Sequence, residues 1–204
     1  MSTTERNPVR ETGGEHRQPS VGEIERTVTP PRIYVASLGD YNEGRLHGVW
    51  IEAAIGDDEL YRRVRTMLAG SPMPGAEEWA IHDFEGFCGI DVREHESLPA
   101  VGRLARGIVT HGAAFAAFVR LVGVEYVTDD ADFEDAYLGW FESMVDFARH
   151  TADDLGLEDQ LDRLTGALRP YVAVDYDLFA RDLGHDISAA EAPDGGVFVF
   201  DLNR

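Results

Sequence analysis

Lysine is missing from this chain. All 18 basic residues are arginine, set against 38 acidic residues, for a formal net charge of -20 over 204 residues. So few cations exclude an electrostatic grip on nucleic acid or on an anionic membrane, because both rest on Lys and Arg neutralising phosphate. Cysteine is nearly absent too. Cys88 stands alone, so no intrachain disulfide can form, which fits a reducing compartment. No apolar run approaches the length of a transmembrane helix, and the N-terminus lacks an apolar signal core. A soluble, cytoplasmic protein is the expectation.

Catalytic signatures are also lacking. There is no P-loop, no G-x-G-x-x-G and no G-x-S-x-G. His47, His82, His95, His111, His150 and His185 are scattered without metal-ligand spacing. Cys88 follows Phe87, the setting of a small core residue. Asp129-Asp130-Ala131-Asp132-Phe133-Glu134-Asp135 suggests calcium. Counted from Asp130, however, the sixth residue is Asp135 where an EF-hand needs Gly, and the twelfth is Phe141 where it needs Glu. Neither an enzyme nor a metal or cofactor site is expected.

What the chain has is acid, unevenly spread. Residues 1–30 hold five Glu and four Arg with few large apolar residues, and read as a disordered tail. Residues 31–120 hold 13 acids and 9 Arg, about -4, whereas 121–204 hold 20 acids and 5 Arg, about -15. The folded part predicts an α+β protein. Strands are expected at 32–38, 46–55 and 78–84, with turn chemistry at 39–44 and a helix at 57–69. Together these make a small α+β domain over 31–95. A central helical domain, 96–131, holds an Ala-rich apolar stretch at 98–122. Gly107 and Gly112 split that stretch into two short helices. An acidic α+β domain, 132–204, should contain a helix at 132–155, another at 157–168, a strand or turn near 171–174, a helix at 177–183 and a closing strand at 196–202.

On a single helix over 132–155, Asp135, Glu142, Asp146 and Asp153 would lie within roughly 20° of one line, with Arg149 the one interruption. Asp129, Asp130, Asp132 and Glu134 precede this stripe, and Asp154, Glu158, Asp159 and Asp162 follow it. A surface built only for solubility would intersperse cations. These twelve acids are the candidate partner-binding surface, and the partner they suit is a basic protein.

Three segments carry a family resemblance. The first runs from Ile33 to Trp50 and includes Tyr41-Asn42, Gly44 and Gly48. The second runs from Glu77 to Phe87 around Trp79. The third gathers Tyr137-Leu138-Gly139, Asp146-Phe147-Ala148, Asp175 to Leu183 and Val197 to Asp201. In these the chain resembles the ArdA antirestriction proteins. The resemblance implies an elongated homodimer of three small domains in a row that mimics bent B-form DNA. It implies occupation of the DNA groove in the methyltransferase core of type I restriction-modification enzymes. Genes of such proteins travel on conjugative plasmids, transposons and phages. The tail is extra relative to this pattern, and 98–122 carries little acid. Three other readings compete: an acidic adaptor that sequesters another basic DNA-binding protein, a haloadapted domain of unrelated function, and a hydrolase using clustered carboxylates, for which the sequence locates no second catalytic partner.

Overall fold

The computed structural model describes residues 29–203, so the expected tail lies outside them but for its last two residues. The described chain is α+β. β1 (Arg32–Ser37) is the centre of a three-stranded antiparallel sheet, with β2 (Gly48–Glu52) and β3 (Trp79–Glu85) on either side. Its β-branched residues alternate as a half-buried strand requires, and Ile33 and Val35 are fully buried. Between β1 and β2 the expected turn contains one helical turn, α1 (Leu38–Asn42). Ser37 caps it by accepting from the Asp40 amide. Helix α2 (Asp57–Ala69) buries Leu60, Val64 and Met67.

α3 (Leu98–Val122) starts at a Ser97 cap with Pro99 in its first turn. The expected break falls at Gly112, whose φ of 65° and ψ of -145° no helix tolerates. Gly107 stays inside the helix for a different reason. A Cβ there would come within 2.3 Å of the Phe115 ring, so this glycine makes room for an aromatic packed across the break. By length and composition α3 could cross a membrane, more than the sequence reading allowed, yet half of its apolar window is buried inside the protein. It is the core helix. One cluster of buried side chains runs from Ile33 and Leu60 through Leu104 and Phe115 to Phe133 and Phe200.

The second sheet corrects the sequence reading. The single helix expected over 132–155 does not exist. α4 (Asp130–Ala136) ends where strand β4 (Tyr137–Phe141) begins, and α5 (Met144–Asp154) starts afresh after Ser143. β4 pairs antiparallel with β6 (Val197–Phe200), from Tyr137 opposite Phe200 to Phe141 opposite Val197. The other edge is β5 (Ser188–Glu191), which was not anticipated. Gly139, at φ 135°, takes a conformation closed to other residues. Phe133 joins the layers: its ring lies 5.7 Å from Phe115, 5.8 Å from Phe118 and 5.0 Å from Tyr137.

Helix α6 (Leu157–Thr165) stops earlier than expected, at Gly166, and a 3-10 segment over Gly166–Tyr171 follows it. The possible strand near 171–174 is absent, and residues 172–175 have no regular structure. α7 (Tyr176–Leu183) is capped by Asp175 and packs on α5.

Candidate acidic surface

The twelve candidate acids occupy three helices and a turn rather than one helix face. They divide by what their carboxylates touch. Asp129 and Asp132 form a capping box at the start of α4. Asp129 Oδ1 accepts from the Ala131 amide at 2.9 Å. Asp132 Oδ2 accepts from the Thr128 amide at 2.6 Å and from its hydroxyl at 2.9 Å. Those Thr128 hydrogen bonds hold the Asp132 carboxyl below the usual carboxylate range. The aspartate run that suggested calcium is therefore a helix cap. No cluster of three or more metal-ligating side chains occurs among the described residues.

Asp146 plays a similar part in α5. Ser143 Oγ accepts from the Asp146 amide at 3.1 Å while the Asp146 carboxylate reaches back 3.4 Å to the Glu142 amide. Glu158 and Asp162 share one cation, Arg169, whose Nε lies 2.6 Å from Asp162 Oδ1 and whose Nη2 meets Glu158. Glu134 lies 3.8 Å from His111, and Asp154 lies 3.5 Å from His150.

Five carboxylates remain: Asp130, Asp135, Glu142, Asp153 and Asp159 form no hydrogen bond or ion pair among the described residues. All but the half-buried Asp130 are exposed. Asp153 and Asp154 close the last turn of α5, where unsatisfied carbonyls make the helix end negative. Cations stabilise that position and two carboxylates oppose it, so fold stability does not explain them.

Charge reasoning along 129–162 missed further acids on the same third of the chain. Asp177 and Asp182 on α7, Asp186, and Glu191 on β5 are exposed. The count over 121–204 contained them, but the focus on one helix left them out. Glu142 and Glu191 flank a groove of about 370 Å³ floored by Gly195, Gly196 and Val197. A second concavity of about 210 Å³ sets Asp132, Asp135 and Asp201 around Phe118, Val122 and Tyr126. Neither is lined by His or Cys. Cys88 lies elsewhere, and burial pushes its thiol pKa up, which leaves little nucleophilic thiolate.

The first 90 folded residues treat acid differently. Arg32 pairs with Glu85 at 2.6 Å, Arg45 with Glu43 and the fully buried Asp40, Arg62 and Arg63 with Glu59, and Arg106 with Asp57. Among the described residues, arginine pairs with five of the 13 acids there, and with two of the 20 in the last third, Glu158 and Asp162.

The family model of the antirestriction protein ArdA matches residues 33–198. The chain belongs to the ArdA family. Comparison with curated proteins finds no match. The ArdA match runs from β1 into β6 and includes all twelve candidate acids.

Proposed function

We propose that this ArdA protein inhibits type I restriction-modification enzymes by offering its acidic last third in place of DNA. The surface comprises Asp129, Asp130, Asp132, Glu134, Asp135, Glu142, Asp146, Asp153, Asp154, Glu158, Asp159 and Asp162, and it occupies the DNA groove of the methyltransferase core. The protein works by binding alone, as an elongated homodimer in the cytoplasm with units at 31–95, 96–131 and 132–204. It engages neither nucleic acid nor membrane.

The observation that carries this reading is the unpaired acid, above all Asp153 at the wrong end of α5 for stability. Clustered charge retained against a helix dipole is explained by a cationic partner. The amount of charge also suits DNA. With 33 acids and 14 Arg over 31–204, a subunit carries about -19 and a dimer about -38. Duplex DNA carries about two charges per base pair, so the dimer matches roughly 19 base pairs.

The test is direct. Purified protein is titrated into a type I enzyme bound to labelled DNA, and the DNA should be displaced near stoichiometric ratio. Displacement should weaken as salt rises, because the contacts are screened and the enzyme's counterions return. DNA binding unchanged at excess protein would sink the proposal. An acidic adaptor for another basic protein would leave this enzyme untouched. A haloadapted fold would melt at low salt instead.

A further inference from the structure

The end of α3 leaves an aromatic ring outside the core. Gly123, at φ 97°, stops the helix and turns the chain into a single 3-10 turn, Val124–Tyr126. Val127 then enters the core, fully buried, while Tyr126 before it is 70% exposed. Tyr126 helps to line the concavity of about 210 Å³ described above, with Phe118 and Val122 of α3 and with Leu202, itself 38% exposed. Asp132, Asp135 and Asp201 line the rest. Asp132 is engaged by Thr128, and Asp201 accepts from the Asn203 amide at 3.0 Å. Asp135 is unpaired. The lining therefore joins exposed apolar and aromatic surface to three carboxylates in one small hollow.

We propose that this hollow receives an arginine side chain from the DNA-binding surface of the partner enzyme. Resting on the partner proposed above, the site adds one discrete anchor to a surface of distributed charge. Size points to a single side chain, because small-molecule sites enclose roughly 300–1,000 Å³. Three carboxylates select a cation. The apolar and aromatic part selects arginine over lysine. A guanidinium is planar and weakly hydrated, so it stacks on a ring while its fork of N–H donors meets carboxylates, whereas an ammonium is a compact, strongly hydrated charge. The aliphatic stem of arginine covers surface such as Leu202. Proteins that read DNA carry such arginines, since Arg against guanine is the commonest specific contact. Because three carboxylates share the charge, none of them is decisive. Phe118 is buried, so Tyr126 supplies the accessible aromatic face and with it the discrimination.

Two measurements on the full chain test the site. In the first, N-acetyl-arginine amide is titrated into the protein and the methyl resonances of Val122 and Leu202 are followed. They should shift saturably, and shift less with N-acetyl-lysine amide. Tyr126→Ala should abolish the shifts and Tyr126→Phe, which keeps the ring, should retain them. In the second, DNA displacement from a type I enzyme should weaken about tenfold in Tyr126→Ala, with an unchanged urea melt, and hardly at all in Tyr126→Phe. The control Tyr61→Ala, an exposed ring on α2, should change it by less than about twofold. No shift with the arginine amide, or an equal one with lysine, overturns the site whatever the enzyme does. Displacement unaffected by Tyr126→Ala overturns the anchor and leaves the proposed function standing. A wild type that takes the arginine amide but displaces no DNA overturns the proposed function and supports the site. The chain's own Arg6, Arg10, Arg17 and Arg26 are rival occupants. Tighter binding of the arginine amide after all four are changed to Gln would put them in the hollow and overturn the assignment to the enzyme. Tighter binding on dilution would do the same in favour of a second copy.

Discussion

The two parts of this molecule use the same residues to opposite ends. Over 31–120, 13 acids meet 9 Arg, and Glu59 alone draws in both Arg62 and Arg63. Over 121–204, 20 acids meet 5 Arg, and one of those five, Arg169, is spent on two acids at α6. Acid content does not identify an interaction surface, because five of the 13 acids in the first part are answered by a neighbouring arginine. What separates the parts among the described residues is arginine: it pairs with five of the 13 acids in the first and with two of the 20 in the last.

The sharpest way to break this comparison is to cut the core that joins the two. Phe133 on α4 stacks on Tyr137 and meets Phe115 and Phe118 of α3. Phe133→Ala should cost about 3–5 kcal/mol of stability by urea unfolding, the range for a large aromatic removed from a core. Fluorescence and circular dichroism should then stop tracing one transition, with the acidic part unfolding first.

Much of the first sheet was legible because its signals are local. Strand β1 alternates, α2 repeats Leu60, Val64 and Leu68, and Gly70 stops it. The helix imagined over 132–155 failed because its apolar spacing fits a helical stripe as well as a strand flanked by two helices. Its decisive partner, β6, lies about 60 residues away in sequence. Two local clues pointed to the break. Gly139 sits mid-segment, and Ser143 followed three residues later by Asp146 is a capping pattern. The candidate acids were found by counting, which needs no fold. Counting could not tell that Asp129 and Asp132 cap α4 or that Glu158 and Asp162 are paired.

The comparison is sharpened by removing equal charge from each part. Asp135, Glu142, Asp153 and Asp159 changed together to Asn or Gln should weaken inhibition by about tenfold to a hundredfold. That corresponds to about 1.4–2.8 kcal/mol, a few tenths to one per exposed contact. Neutralising Glu52, Asp58, Glu77 and Glu94, four exposed acids of the first part, should change it by less than about twofold. Equal losses from the two sets, measured by DNA displacement, would make the surface uniform and remove the distinction.

Within the last third, the loss of one aspartate charge should give two outcomes. Asp129→Ala removes the α4 cap and should cost about 1 kcal/mol of stability. Asp135→Asn, on the same helix and unpartnered, should alter stability by less than about 0.5 kcal/mol and inhibition hardly at all, since distributed charge does not rest on one group. Chemical denaturation of the two variants side by side checks this. An Asp135→Asn change that abolished inhibition with the fold intact would mark a discrete contact instead.

The smallest effect expected is on acid stability, and it belongs to the first part. The hydrogen bond from Arg62, then that from Arg63, pulls Glu59 from 4.5 down to about 2. A carboxyl depressed in the folded state adds stability that is complete above its unfolded value and is lost as pH falls through the folded one. The window is therefore about pH 4.5 to 2, and the loss is modest because the pair faces solvent. Glu59→Gln should flatten the fall in melting temperature across that window and leave it unchanged at pH 7 apart from the lost pair. The unpaired carboxylates of the last third act differently, since their like charges repel one another more in the folded state than in the unfolded chain. A quadruple variant at Asp135, Glu142, Asp153 and Asp159 should therefore melt slightly higher than the wild type at neutral pH. A quadruple variant that melted lower at neutral pH would mean that the fold does use those acids, and the division between the two parts would lie elsewhere.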